Sequence, residues 1–179
     1  ERARAAYNNE GSGKVDIIFV VDNSGSMQWF QSQVASNINV FMSVFVTLSV
    51  DYQIGVITTD DPDFIGPIVT PTTTDPEGEL ANQIGTVAGI YGSGIERGID
   101  EAYDATQPGA DAGPGGTFLR EDAGLVLVFV SDEPDYSYIT WTDLANYLNI
   151  LKGDPSKIIV HSVIGDHPSG CTYTNGPAT

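Results

Sequence analysis

The chain has 179 residues, enough for one domain with a sizeable core. Hydrophobic residues make up 41% of it and charged residues 17%, a globular composition, poor in charge, that excludes a disordered chain. With 24 acidic against 7 basic residues the net charge is −17, a field that repels nucleic acid and anionic membrane and attracts divalent cations and basic surfaces.

No apolar run reaches the roughly 18–20 residues of a membrane span, so direct membrane insertion is not expected. No signal-peptide pattern is present, so the chain is either cytosolic or begins after processing. An acidic, lysine-poor exterior is compatible with export.

Residues 1–13 lack apolar periodicity and end in Gly-Ser-Gly, which reads as an arm or linker. Lys14–Val21 follows as an apolar, β-branched run without alternation, the pattern of a strand buried on both faces. Asp22 stands where that strand ends, and Asn23, Ser24, Gly25 and Ser26 form a turn-rich segment. From Gln28 to about Leu48, Phe30, Val34, Ile38, Phe41, Phe45 and Leu48 recur in steps of three and four. Val40, Met42, Val44 and Val46 widen that stripe, so one long, well-buried helix is predicted.

Asp51–Thr59 reads as a second strand and Phe64–Thr70 as an edge strand, since Pro67 argues against a central position. Pro71 to Gly78 reads as loop and Glu79–Ala88 as a short helix. Ser93 lies between two glycines before a helical stretch, Ile95–Ala105, whose face is Ile95, Ile99, Ala102 and Tyr103. Gln107–Thr117 is rich in Gly, Pro and Ala and reads as surface loop. Leu125–Val130 is the most apolar run in the chain and ends in Ser131-Asp132-Glu133-Pro134-Asp135. Thr142–Leu151 is predicted helical, with Thr142 as its cap and Gly153 as its stop. Ile158–Ile164 is the last strand, and His161 inside it reads as a packed or half-buried residue.

The chemistry concentrates in the loop after the first strand. Asp22, Ser24 and Ser26 place short oxygen-bearing side chains at alternate positions, where an extended turn lets them converge. Hard divalent cations take carboxylate, hydroxyl and water oxygens. Each residue alone has a plainer reading as a cap on the following helix. A helix N-terminus repels a cation, so carboxylates are needed there as compensation.

Asp22-x-Ser24-x-Ser26 after an apolar strand resembles the metal-ion-dependent adhesion site of the von Willebrand factor type A family. The resemblance covers Lys14 to Asp166, giving a domain over 14–166 and an incomplete segment over 167–179. It implies a doubly wound α/β fold, with a mostly parallel central sheet, one antiparallel edge strand and helices on both faces. It also implies one further strand and a closing helix, for which the last residues offer only a coil-like sequence.

The family places a Thr or Ser ligand at the junction held here by Ser93, and a last carboxylate at the position of Asp132. The implied metal set is therefore Asp22, Ser24, Ser26, Ser93 and Asp132. Magnesium is the implied ion, with manganese or calcium as substitutes. The implied function is adhesion: a protein or cell-surface partner offers an Asp or Glu carboxylate to the metal, and no reaction is catalysed. FLRED and FVSDEPDYS flanking the strand at 125–130 look most like secreted or surface-bound bacterial members, which implies an extracellular or cell-surface location.

Competing classes are weaker. A haloacid-dehalogenase phosphatase wants a second Asp where Ser24 stands, and neither Asn23-Ser24-Gly25-Ser26 nor Tyr91-Gly92-Ser93-Gly94 is a Gly-x-Ser-x-Gly elbow. A subunit partnering a chelatase-like ATPase stays open, because it shares the metal loop. Cys171 is the sole cysteine. In the bacterial members a cysteine at this place is commonly followed by another, so the resemblance implies that the natural protein continues past Thr179 and that Cys171 pairs downstream. The alternative is a small buried thiol packing as a hydrophobe.

Overall fold

A computed structural model describes residues 13–110, 112–113, 116–164, 172–173 and 176–177. Its strands are β1 (Lys14–Val21), β2 (Asp51–Thr58), β3 (Gly124–Ser131) and β4 (Ile158–Ile164). A separate two-residue pair, β5 (Thr172–Tyr173) and β6 (Gly176–Pro177), is antiparallel. The helices are α1 (Gln28–Ser36), α2 (Ile38–Leu48), α3 (Pro76–Asn82), α4 (Gly98–Ala105) and α5 (Trp141–Lys152).

The main sheet runs β2-β1-β3-β4 with every pairing parallel. β1 is central, flanked by β2 from Lys14↔Asp51 to Val21↔Thr58 and by β3 from Val15↔Gly124 to Val21↔Val130. Its side chains alternate between two cores. Val15, Ile17, Phe19 and Val21 pack with Met27, Ile38, Met42, Leu80 and Ile84 on one face. Ile18 and Val20 pack with Ala102, Phe118, Leu144 and Leu148 on the other. Helices on both faces are why β1 shows no polar alternation. This is the doubly wound α/β arrangement predicted from the sequence.

After β1 the chain passes to β2 on one side, then returns across β1 to β3 on the other. The carboxyl ends of β1 and β3 therefore face a crevice from which the two connections diverge, the usual place for a ligand in such sheets.

Several local expectations are corrected. The predicted antiparallel edge strand at 64–70 shrinks to one bridge, Ile54↔Val69. Its two amide bonds measure 2.9 and 2.8 Å. The next pair along that ladder would need an N–H from Pro67, which has none. The Val56 carbonyl accepts from the Ile65 amide instead, at 3.0 Å.

The single helix predicted over 28–48 is two, broken at Asn37. Ser32, Ser36 and Asn37 all donate side-chain hydrogen bonds to carbonyls four residues back, which competes with the regular ladder. α2 buries Ile38, Met42 and Phe45 but exposes Val40, Val44 and Leu48, because it covers one sheet face from outside.

α3 begins before its predicted start and is prolonged by a π-helical turn, Gln83–Val87. α5 is capped by Thr140, with Asp143 returning the bond, and not by Thr142. Gly153 ends it at φ 66°, as expected of a stop. His161 is exposed, since β4 is the outer strand of the described sheet. Cys171 lies outside the described residues, so its predicted pairing has no structural counterpart here.

Candidate metal centre

The loop after β1 starts from a fixed point. The Asp22 amide donates to the Val130 carbonyl of β3 at 2.9 Å, continuing the sheet for one more residue. Asp22 is fully buried. One of its carboxylate oxygens accepts from the Ser24 amide at 2.8 Å, and the other from the Ser131 hydroxyl at 2.7 Å.

From there a chain of oxygens crosses the crevice. Ser24 Oγ lies 3.0 Å from Ser26 Oγ, and the Ser26 hydroxyl donates to Asp132 Oδ1 at 3.0 Å. Ser24 is buried and Ser26 exposed. Ser24 occupies the cap position of the Gly25–Met27 turn, yet its side chain makes no capping bond. Its hydroxyl is thus spent within the cluster, against the plainer reading of this serine as a cap.

Asp132 Oδ2 is buried and has no hydrogen-bond partner. Burial raises the Asp132 pKa, and the nearby Asp22 charge adds to it, while the Ser26 bond works the other way. Glu133 is raised too, first by burial, then by Asp132 and Asp22. These carboxylates crowd one another with no protein cation between them. Among the described residues every Lys and Arg has a partner elsewhere: Lys14 on Asp122, Arg120 on Asp16 and Asp51, Lys152 on the Arg120 carbonyl, Lys157 on the Glu121 carbonyl and Arg97 on the Tyr138 hydroxyl, with the Arg97 Nε left buried and unbonded. Uncompensated carboxylates beside hydroxyls form a donor set that fits a hard divalent cation. Among the described residues no three His, Cys, Asp or Glu side chains gather into a metal cluster by themselves. The serine hydroxyls are therefore essential to any such site.

The structure brings Asp22, Ser24, Ser26 and Asp132 into one bonded network. It leaves Ser93 at the rim. Ser93 is exposed, its amide donates to Asp60 at 2.7 Å and its hydroxyl accepts from the Ile95 amide at 2.9 Å. The loop carrying it still touches the first loop, where the Gly92 amide donates to the Asn23 carbonyl at 2.8 Å. A Cβ on Gly92 would stand 2.2 Å from the Asn23 side chain, so that close approach needs glycine. α4 begins at Gly98, later than predicted. Asp135 and Ser137 reach its first amides at 3.1 and 2.9 Å, so the acidic segment after β3 caps this helix.

Sequence reasoning passed over Gln31, Ser131, Thr59 and Glu96. Buried Gln31 donates to the carbonyls of Asp22 and Gly89, both at 2.8 Å, and so fastens α1 to both loops. Thr59 and Glu96 are buried, and the Thr59 hydroxyl donates to Glu96 Oε2. Burial is the main reason the Glu96 pKa is pushed up to about 7; Asp22 and Asp60 add to it against the Thr59 bond. Thr59, Glu96, Ser131 and Asp132 line a cavity of ≈ 640 Å³ whose other walls are mostly apolar, among them Val20, Ile99, Phe129 and Val160. The one sequence signal for Glu96 is its spacing in Ser93-x-x-Glu96, which has the form of a capping box and gives no hint of a ligand.

No protein-family model matches the sequence, and no curated protein matches it. Solved structures do. One crystal form of proximal thread matrix protein 1 from the mussel byssus superposes with a TM-score of 0.56 at 15% identity, over 88% of this chain and 39% of that one. A second structure of the same mussel protein gives 0.50 at 14% identity, with the same coverage. The chain thus spans 39% of the length of these neighbours, and the likeness is one of fold.

Proposed function

We propose that this chain is a metal-dependent binding module. Asp22, Ser24, Ser26 and Asp132 would hold a magnesium ion, with manganese or calcium as substitutes, and Ser93 stands at the rim of the same edge. When bound, the ion supplies a Lewis-acidic position that takes a carboxylate from an Asp or Glu of a protein or cell-surface partner. The chain's own residues orient and charge that position and carry no reaction. The buried, unpartnered Asp132 Oδ2, at the end of the Ser24–Ser26–Asp132 oxygen chain, is the observation that most supports this reading. An extracellular or cell-surface location, on a bacterium by the flanking motifs, belongs to the same proposal. The acidic surface charge favours divalent cations and disfavours nucleic acid as a ligand.

Titration calorimetry with magnesium and manganese tests it. The parent binds, and Asp22→Ala loses most of the affinity while its thermal melt stays cooperative. An Asp22→Ala protein that binds metal like the parent overturns the proposal.

A further inference from the structure

We propose that Glu96, in the role expected of Ser93, ligates the divalent cation at this sheet edge from the loop before α4. The inference rests on reading Asp22, Ser24, Ser26 and Asp132 as a metal centre; among the described residues no three acidic side chains already gather there, so Glu96 would complete the centre by closing on the bound ion.

Glu96 is 1% exposed. A glutamate is seldom buried to that degree unless something pairs with it. Its Oε2 takes the Thr59 hydroxyl, while Oε1 is buried with no partner at all. Through Thr59, whose amide is bonded to the Val21 carbonyl beside Asp22, Glu96 is held at the strand end that carries the Asp22 carboxyl. Two carboxyls brought together away from water need a proton or a cation between them. Each described Lys and Arg makes its side-chain bonds elsewhere, so none of these is bonded to the two carboxyls.

The backbone holds Glu96 in this position from both sides. The Tyr136 amide donates to its carbonyl at 2.6 Å, and the Arg97 amide donates to the Thr59 carbonyl at 3.3 Å. Thr59 in turn donates its amide to the Val21 carbonyl at 3.2 Å, at the very end of β1. Thr59 and Glu96 are thus registered against the strand that carries Asp22. The cavity that Glu96 shares with Asp132 gives an ion a path to both.

A carboxylate where a hydroxyl was expected changes the chemistry of the centre. An added negative ligand tightens the hold on the cation. It also lowers the residual charge that the ion offers to an incoming carboxylate, so the partner is held less tightly than at a site whose third loop gives only a hydroxyl.

The test is a manganese titration of the full chain, followed by calorimetry and by the loss of the free-ion electron paramagnetic resonance signal. The proteins compared are the parent, Asp22→Ala, Glu96→Gln, Glu96→Asp and Ser93→Ala. Glu96→Gln keeps the size and a hydrogen-bond acceptor for Thr59 but removes the charge. It should weaken binding by about tenfold or more, Glu96→Asp should fall between it and the parent, and Ser93→Ala should change Kd by less than about twofold. Parent-like affinity in Glu96→Gln would mean that the Glu96 charge does not reach the cation, and it would overturn the proposal. So would a Ser93→Ala loss as large as that of Glu96→Gln. If Glu96→Gln does not fold, parent-like affinity in Glu96→Asp makes Glu96 structural and has the same consequence. A parent that takes up no manganese, or an Asp22→Ala protein that binds like it, defeats the metal reading itself and is told apart from the other outcomes by that arm.

Discussion

Glu101 shows what the acidic surplus does to a single side chain. It sits on α4, and its pKa is raised to about 7, chiefly by burial and then by Asp104, Asp100, Asp61 and Asp60. The folded state therefore keeps the Glu101 proton to a higher pH than the unfolded chain, whose carboxyl titrates near 4.5. The sign follows from that difference. Folding is favoured by this group below the unfolded value, and the contribution is lost as pH rises toward about 7. Glu101→Gln, which stays neutral, should melt like the parent under acidic conditions near the unfolded pKa. It should melt progressively higher than the parent as pH rises from there to about 7, and the difference should then level off. Melting curves of both proteins across that range check this, and a difference that does not change with pH would remove Glu101 from the account. None of this was legible in the sequence, where Glu101 is one acidic residue among many on a helical pattern. Burial sets its environment first, and the loop after β2 only adds Asp60 and Asp61 to the acidic neighbours that α4 itself supplies.

At the scale of elements, the strands were the most legible part, because burial on both faces leaves an unbroken apolar run. β1 and β4 begin and end where the sequence placed them, and β2 and β3 agree to within a residue at each end. The loop holding Asp22, Ser24 and Ser26, and the place of Asp132, followed from those strand ends. What failed were boundaries decided by side-chain hydrogen bonds. Asn37 ends α1 through bonds that a hydrophobic stripe does not register, and Pro67 silences one donor in a ladder that otherwise fits. The start of α4 was misplaced for the same reason. Ser93 has the look of a cap, but the helix starts at Gly98 and takes its caps from Asp135 and Ser137 across the crevice. α5 allows a direct test of such a boundary. The Asp143 amide donates to Thr140 Oγ1 at 3.2 Å and the Asp143 carboxylate receives the Thr140 amide at 2.9 Å. Thr140→Ala should cost about 1 kcal/mol in urea unfolding. Thr142→Ala, at the cap position that periodicity suggests, should stay within about 0.5 kcal/mol of the parent. The reverse order would return the cap to Thr142.

At the scale of the whole molecule, the sheet has a polar fastening at the edge opposite the proposed metal centre. Asp16, fully buried near the start of β1, takes the Arg120 backbone amide at 2.7 Å and its Nε at 2.8 Å. The same guanidinium reaches the Asp51 carboxylate on β2 at 2.8 Å and the carbonyls of Val15 and Asp51 at 3.0 and 3.1 Å. Lys152, at the end of α5, donates to the Arg120 carbonyl at 2.7 Å. One arginine thus joins β1, β2 and the segment leading into β3, with α5 tied to its backbone. Burial raises the Asp16 pKa, and the Arg120 bonds and charge oppose that rise. Removing the arginine leaves a buried carboxylate without its counter-charge, a loss of roughly 3–5 kcal/mol in comparable pairs. Arg120→Ala should therefore destabilise the protein by about that much near neutral pH. Without Arg120 the Asp16 pKa rises further, so the deficit should shrink on acidification as Asp16 takes up a proton. Adding Asp16→Asn should recover part of the neutral-pH loss, since the uncompensated charge is then gone. Because the fastening lies at the amino edge and Asp22 at the carboxyl edge of the same strand, metal affinity of the folded Arg120→Ala fraction should match the parent. Urea unfolding at neutral and acidic pH, together with a manganese titration below the unfolding transition, measures both. A deficit independent of pH would show that Arg120 acts by packing alone, and a weakened metal site would show that the two edges are coupled through β1.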